Sequence, residues 1–230
     1  TSNFRAGVNA GNSITSGGNY NVVVGDEAGT AITTGDYHTT VGYAAGASVT
    51  TATNNTVIGA LAGDALTEGN YNVVVGVNAL TADTKGSYTT ALGHGALAAQ
   101  NFTSATDSYN TAVGHAAGAS VTTGVRNTLI GGLAGDALTD ADDNVVVGGN
   151  ALTSDTLGSK STAIGKDALA SQNFTSATDT YNTAVGFSAG VAVTTGVQNT
   201  LIGGLAGAAN TTGIQNVAVG AESAEATTTG

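Results

Sequence analysis

The sequence predicts an all-β chain wound as a repetitive parallel β-roll or β-solenoid, built of 17-residue coils with two 21-residue ones among them. Three observations predict it. A glycine closes a short apolar run at near-constant spacing through all 230 residues, and β-branched segments such as "NVVVG" and "NTLIG" lead into those glycines. No segment holds the capped 3.6-residue apolar period that a helix requires. The segment "NTLIGGLAGDALT" at 127–139 also returns, nearly unchanged, as "NTLIGGLAGAANT" at 199–211. Repetition on that scale marks architecture, whereas a catalytic site needs to be written only once.

The anchors are Gly7, Gly25, Gly42, Gly59, Gly76, Gly93, Gly114, Gly131, Gly148, Gly165, Gly186, Gly203 and Gly220. Their numbers differ by 17 from one to the next, except for 18 at the first step and 21 after Gly93 and Gly165, where both long coils contain "QNFTSATD". Three coils of 17 and one of 21 make a 72-residue module. The chain 1–230 therefore reads as a single repeat domain with modules starting near 38, 110 and 182.

Slots counted from the anchor behave distinctly. Slot −1 is Val, Ile or Leu in twelve of thirteen coils, and slot −4 is Asn in ten, with His38, Thr89 and Ser161 in the others. Slot +3 is Ala everywhere except Ser223; in coils of ordinary length slot +6 is Ala or Ser and slot +8 is Thr. Each preference has a physical reading. The anchor needs glycine for a turn at positive φ or for close backbone passage. Stacked coils place equivalent residues about 4.8 Å apart, so the Asn column is expected to form a ladder of side-chain amides. The slot −1 column is an apolar stripe, and the Ala and Ser columns mark walls that approach closely. About twelve coils would stack to roughly 60 Å, a rod.

Such a core is thin, and the 35 glycines make the backbone costly to order. Apolar or small columns are therefore expected to be buried again between chains, most economically around a three-fold axis. Only 9% of residues are charged, against about 25% in an average domain, so Thr, Ser and Asn must supply the surface polarity. The net charge of −11, from 16 acidic and 5 basic residues, argues against a nucleic-acid partner. With no cysteine, disulfides and thiolate metal sites are excluded, and no apolar run of about 18 residues inserts into a membrane. The chain opens with "TSNFRAG" and closes with "TTTG", inside the repeat pattern, and is expected to be a piece of a longer protein.

The unit "NTAVGHAAGASVTTG" resembles the head repeats of YadA-like trimeric autotransporter adhesins. In style it is closer still to repeat regions of tail fibres from marine and cyanobacterial phages. The resemblance covers all 230 residues and rests on the anchor glycines, the Asn column and the "TTG" turns. It implies a left-handed, trimeric parallel β-roll that serves surface attachment. These 17-residue coils are longer than the usual adhesin-head repeat, so larger turns are expected. The function expected is a structural shaft or head segment of an extracellular attachment fibre, foremost a phage tail fibre on the virion. The alternatives are the head of a bacterial trimeric adhesin at the cell surface and a homopolymeric extracellular filament. The partners expected are its own copies and a cell-surface glycan or protein receptor. No cofactor is expected.

Candidate sites are few. His94 and His115 each follow an anchor and are candidates for a metal site assembled by trimerisation; against that, the same slot elsewhere holds Asp26, Tyr43 or Phe187, the mark of a variable exposed position. Asp140, Asp142 and Asp143 form an acidic turn that would suit calcium, but the segment lacks the glycine and terminal glutamate of a calcium loop. Phe102, Tyr109, Phe174 and Tyr181 in the long coils are either receptor-contact loops or clasps on a neighbouring subunit. The Thr column suggests an ice-binding array, but its second row is mostly glycine. The four glutamates, Glu27, Glu68, Glu222 and Glu225, are scattered without pairing, and an enzyme is not expected.

Overall fold

Each anchor ends a strand of three residues, and the computed structural model, which describes residues 2–229, contains no helix among them. The chain falls into two compact units, Thr1–Ala112 and Val113–Gly230, divided close to the module start at 110. In the first unit the strands Phe4–Ala6, Val22–Val24, Thr39–Val41, Thr56–Ile58, Val73–Val75 and Thr90–Leu92 stack in that order, all parallel. In the second, Thr128–Ile130, Val145–Val147, Thr162–Ile164, Thr183–Val185, Thr200–Ile202 and Val217–Val219 do the same. The remaining strand, Thr111–Val113, lies at the division.

Register advances one coil at a time: Val57 faces Val74 across an ordinary coil, and Ala163 faces Ala184 across a long one. The extra residues of each long coil form a second, two-stranded parallel ladder. Gly86–Ser87 pairs with Thr106–Asp107 in the first unit, and Gly158–Ser159 with Thr178–Asp179 in the second. The chain is thus the parallel β-solenoid its spacing predicts.

The pleat decides which residues enter the core, because successive strand side chains point to opposite faces. Slot −2 is the inward one: Val23, Val57, Val74, Leu129 and Val146 are buried, as are the alanines of slot +3 from Ala28 to Ala206. The stripe expected at slot −1 exists, but it lies on the outer side, where Ile130, Ile164 and Ile202 are 37–40% exposed.

The third wall of the core is an exchange between slots +4 and +7. Most coils place glycine at +4 and a buried aliphatic residue at +7, as in Gly29 with Ile32, Gly63 with Leu66 and Gly135 with Leu138. A Cβ on Gly29 would stand 2.6 Å from Ile32 Cδ1, so the larger side chain occupies the space the glycine leaves. In the four coils where +7 is Asp83, Gln100, Asp155 or Gln172, slot +4 becomes Leu80, Leu97, Leu152 and Leu169, each fully buried; the coil with buried Asn210 at +7 keeps Gly207. Those leucines hold φ near +50, which costs roughly 1–2 kcal/mol for a residue with a Cβ. Full burial of leucine offsets it with about 1.5–3 kcal/mol.

The anchors carry a stricter demand. Gly59 has φ +132, and a Cβ there would sit 2.6 Å from the carbonyl oxygen of Gly76 in the next coil. No other residue fits.

Polar columns close the hydrogen-bond requirements of the turns. The Asn column forms a ladder, but its partners are backbone groups rather than neighbouring amides. Asn55 Nδ2 donates to Gly69 O at 2.8 Å, and its Oδ1 accepts from the Asn72 N–H at 2.8 Å. Asn127, Asn144 and Asn199 repeat parts of this pattern in the second unit. Between neighbours of the column, amide meets amide at 3.3 Å from Asn199 to Asn182. A fixed carbonyl and a fixed N–H in the adjoining turn hold the side chain better than another rotatable amide. His38 fits this ladder. Its Nε2 lies 2.7 Å from Ala52 O, and its Nδ1 lies 3.4 Å from the Asn55 N–H. A carbonyl only accepts and an amide N–H only donates, so Nε2 carries the proton and the ring is neutral. The Thr column makes a further ladder: Thr50 and Thr67 Oγ1 donate to the carbonyls of Thr67 and Thr84. Those hydroxyls are committed within the stack.

Candidate functional site

In each unit the sheet is buried on one side by its own coil and left bare on the other. The outward side chains are those of slots −3 and −1, and across all thirteen strands neither slot holds a charged residue. Slot −3 alternates Thr39, Thr56, Thr90, Thr128, Thr162, Thr183 and Thr200 with Val22, Val73 and Val145, while slot −1 is aliphatic from Val24 onward. Parallel sheets are ordinarily covered on both faces. In each unit this leaves an uncharged strip of partly exposed Val, Ile and Thr on the outer side.

Slot −5 borders this face and differs between the units. The first unit carries Tyr20, Tyr37, Tyr71, Tyr88 and Tyr109 there, with Asn54 as the one interruption. These residues share a left-handed backbone, with φ from 50 to 60, and their rings stack: Tyr20 on Tyr37 at 5.1 Å, Tyr71 on Tyr88 at 5.1 Å, and Tyr88 on Tyr109 at 5.3 Å. The second unit carries Arg126, Asp143, Lys160 and Tyr181 in the equivalent places. Arg126 Nε bonds Asp143 Oδ1 at 2.6 Å, holding that carboxyl below the usual range and raising the guanidinium. Lys160 Nζ pairs with Asp179 at 2.5 Å and stands over the Tyr181 ring, and the Asp179 contact raises its ammonium.

The long coils place the expected contact residues unequally. Phe102 and Phe174 are 6% and 7% exposed, packed within their own chain; a Cβ on Gly86 would meet the Phe102 ring at 2.9 Å, so that glycine opens the seat. Neither phenyl ring is available as a contact tip or as a clasp on another subunit. Tyr109 and Tyr181 are exposed, at 55% and 53%. The phenol of Tyr109 is raised by the charge of Asp107 beside it.

Beneath each long coil lies a buried polar cluster that spacing alone did not reveal. Gln100 Nε2 donates to Asp83 Oδ2 at 2.6 Å and to Thr89 Oγ1 at 3.1 Å, Thr89 meets the Ser108 hydroxyl at 2.7 Å, and Asn110 Nδ2 donates to Gln100 Oε1 at 2.8 Å. Asp155, Gln172, Ser161, Thr180 and Asn182 rebuild it one module later with Ser and Thr exchanged. This accounts for Thr89 and Ser161 in the Asn column. Burial raises the Asp83 carboxyl despite the Gln100 amide and the Phe102 and Gly86 N–H groups that it accepts from. These hydrogen bonds tie the long coil to the coil before it.

The metal candidates lie in both units. His94, in the first unit, and His115, in the second, are both exposed one residue after an anchor. Asp140 accepts from Thr123 Oγ1 at 2.7 Å, Asp142 from the Val125 N–H at 2.8 Å, and Asp143 binds Arg126, so the three carboxylates address three different atoms of the preceding coil. Among the described residues no group of three or more His, Cys, Asp or Glu is placed to hold a metal ion, and no helix is long and apolar enough to cross a membrane. A cavity of about 370 Å³ in the first coil is lined by Asn3, Arg5, Ile14, Thr15 and Ser16, and Arg5 Nη1 reaches across to Gly11 O at 2.8 Å. A smaller one of about 130 Å³ lies in the last coils, between Leu201, Asn210, Val217 and Thr227. Neither gathers an acid, a base and a nucleophile. Comparison with protein-family models, with curated proteins and with solved structures finds no match to this chain.

Proposed function

We propose that this chain is a structural segment of an extracellular attachment fibre, foremost a phage tail fibre, and that it works as a homotrimer whose subunits bury their outward sheet faces against one another. The observation that carries this reading is the uncharged outer face of slots −3 and −1, half-exposed along every coil of a core otherwise filled by alanine and single aliphatic residues. A three-fold arrangement covers that face on each subunit while leaving the turns, where the charged residues sit, in water. The role is mechanical: it holds a binding tip at a distance, and a backbone with its polar groups paired coil to coil resists proteolysis.

The test is the mass in solution, by light scattering or sedimentation, of the wild-type chain and of Ile58→Glu and Ile202→Glu. The expected wild-type mass is three times the 22.1 kDa of one chain. The charged variants are expected to dissociate while keeping their β circular dichroism, since both positions point away from the core. A well-folded single chain at micromolar concentration overturns the trimer, and wild-type particles that grow end to end support a filament instead.

A further inference from the structure

We infer that the tyrosine column of the first unit is an oxidative cross-linking site, at which neighbouring coils are joined by dityrosine bonds within one chain. Tyr20 and Tyr37 stack with ring planes 9° apart, Tyr71 and Tyr88 with 7°, and Tyr88 and Tyr109 with 18°, at centroid distances of 5.1–5.3 Å. All five rings are 42–58% exposed and open to a diffusible oxidant. Their backbones are tied to the coil below: the N–H groups of Tyr37, Tyr71 and Tyr88 donate to Asn19, Thr53 and Asn70 carbonyls at 3.0–3.2 Å. Two phenols held in this way meet at an effective concentration far above that of any second molecule.

The co-reactant is a peroxidase-type one-electron oxidant supplied with hydrogen peroxide. Each phenol gives up one electron and its hydroxyl proton. The two phenoxyl radicals join through ring carbons ortho to the oxygens, and the displaced ring protons return the two oxygens to phenols. One carbon–carbon bond forms, two hydrogens leave, and one hydrogen peroxide becomes two waters. Asn54 separates Tyr37 from Tyr71, so the column divides into a pair and a trio. Among the described residues Tyr43 and Tyr181 have no stacked tyrosine; Tyr181 has Lys160 over its ring instead.

The experiment oxidises dilute wild-type protein with horseradish peroxidase and hydrogen peroxide, reads dityrosine fluorescence, and maps linked peptides by mass spectrometry after denaturing electrophoresis. The links expected are Tyr20–Tyr37, Tyr71–Tyr88 and Tyr88–Tyr109, in chains that still run as monomers under denaturing conditions, with a yield unchanged over a hundredfold dilution. The double variant Y37F/Y88F, which keeps the stacked rings, is expected to lose all three. Asn54→Tyr is expected to add links to Tyr37 and Tyr71, and Lys160→Tyr to recruit Tyr181. Oxidised tyrosines without intrachain links, links joining separate chains, or equal linking at Tyr43 and Tyr181 would each overturn the inference. None of these readouts depends on the proposed trimer, whose test is the mass.

Discussion

The two units spell the same interior with different exteriors. At slot −5 the first stacks tyrosines, while the second alternates Arg126, Asp143 and Lys160. Below that column the two units share one plan: both keep the anchor glycines, a mainly aliphatic slot −2, the Asn ladder (with His38 standing in it in the first unit) and one buried polar cluster. The lesson is that a left-handed, exposed position is held by its backbone hydrogen bonds and tolerates either aromatic stacking or charge pairing. The inward columns set the fold, and the outer ones are free to diverge.

The largest effect should be indifferent to unit. Gly59→Ala and Gly131→Ala each force a Cβ to within 2.6 Å of the next anchor at φ +132 and +135, and each should lose about 3 kcal/mol in urea denaturation. A clearly smaller loss in one unit would show that its coils can move apart. Next come Asn55→Ala and Asn144→Ala, which strand a buried carbonyl and a buried N–H each. Losses of about 2–4 kcal/mol are expected from both, by the same measurement.

A third prediction separates the units. His38 is the one titratable group standing in the Asn ladder, and burial holds it below its ordinary value although the Ala52 carbonyl, the Asn55 turn and Asp36 act in the opposite sense. A histidine with a depressed folded-state value contributes its full stability above the unfolded value of about 6.5. That contribution falls away as pH drops through 6.5 toward the folded value, because the unfolded chain takes up the proton first. Protection factors of the Val22–Val24 and Thr56–Ile58 strands, corrected for the intrinsic slowing of exchange in acid, should therefore fall as pH drops below about 6.5. His38→Asn should abolish that dependence and leave the second unit unaffected; a persisting dependence would place its origin elsewhere. The smallest effect concerns slot −5 itself. Arg126→Gln breaks an ion pair that is half-exposed, so the loss should stay well under 1 kcal/mol and shrink further with salt. Tyr88→Phe should be insensitive to salt in the same thermal melts.

Much of this was legible in the spacing. Evenly placed glycines fix the register of Val57 on Val74, and the 21-residue steps locate the two long coils. Which face points inward was not legible, for a physical reason. A triplet such as Val73–Val74–Val75 shows no period, and strands of three residues give alternation no room to appear. The apolar column that drew attention, slot −1, proved to be the outer one, and the true core column was split between glycine–aliphatic and leucine–polar pairs that look unrelated until stacked. The burial of Phe102 was hidden because its ring lies where a side chain on Gly86 would stand. His38, by contrast, could be read directly, since imidazole presents a donor and an acceptor much as a carboxamide does.

The buried pair of Asp83 with Gln100 bridges two successive coils, as Asp155 with Gln172 does. A gene that lengthens or shortens by recombination can therefore break cleanly almost anywhere in this chain, but not between those partners. A cut there leaves a carboxylate facing aliphatic side chains. Breakpoints that survive selection should fall among the glycine–aliphatic coils, so length would change in blocks that carry each acid together with its amide.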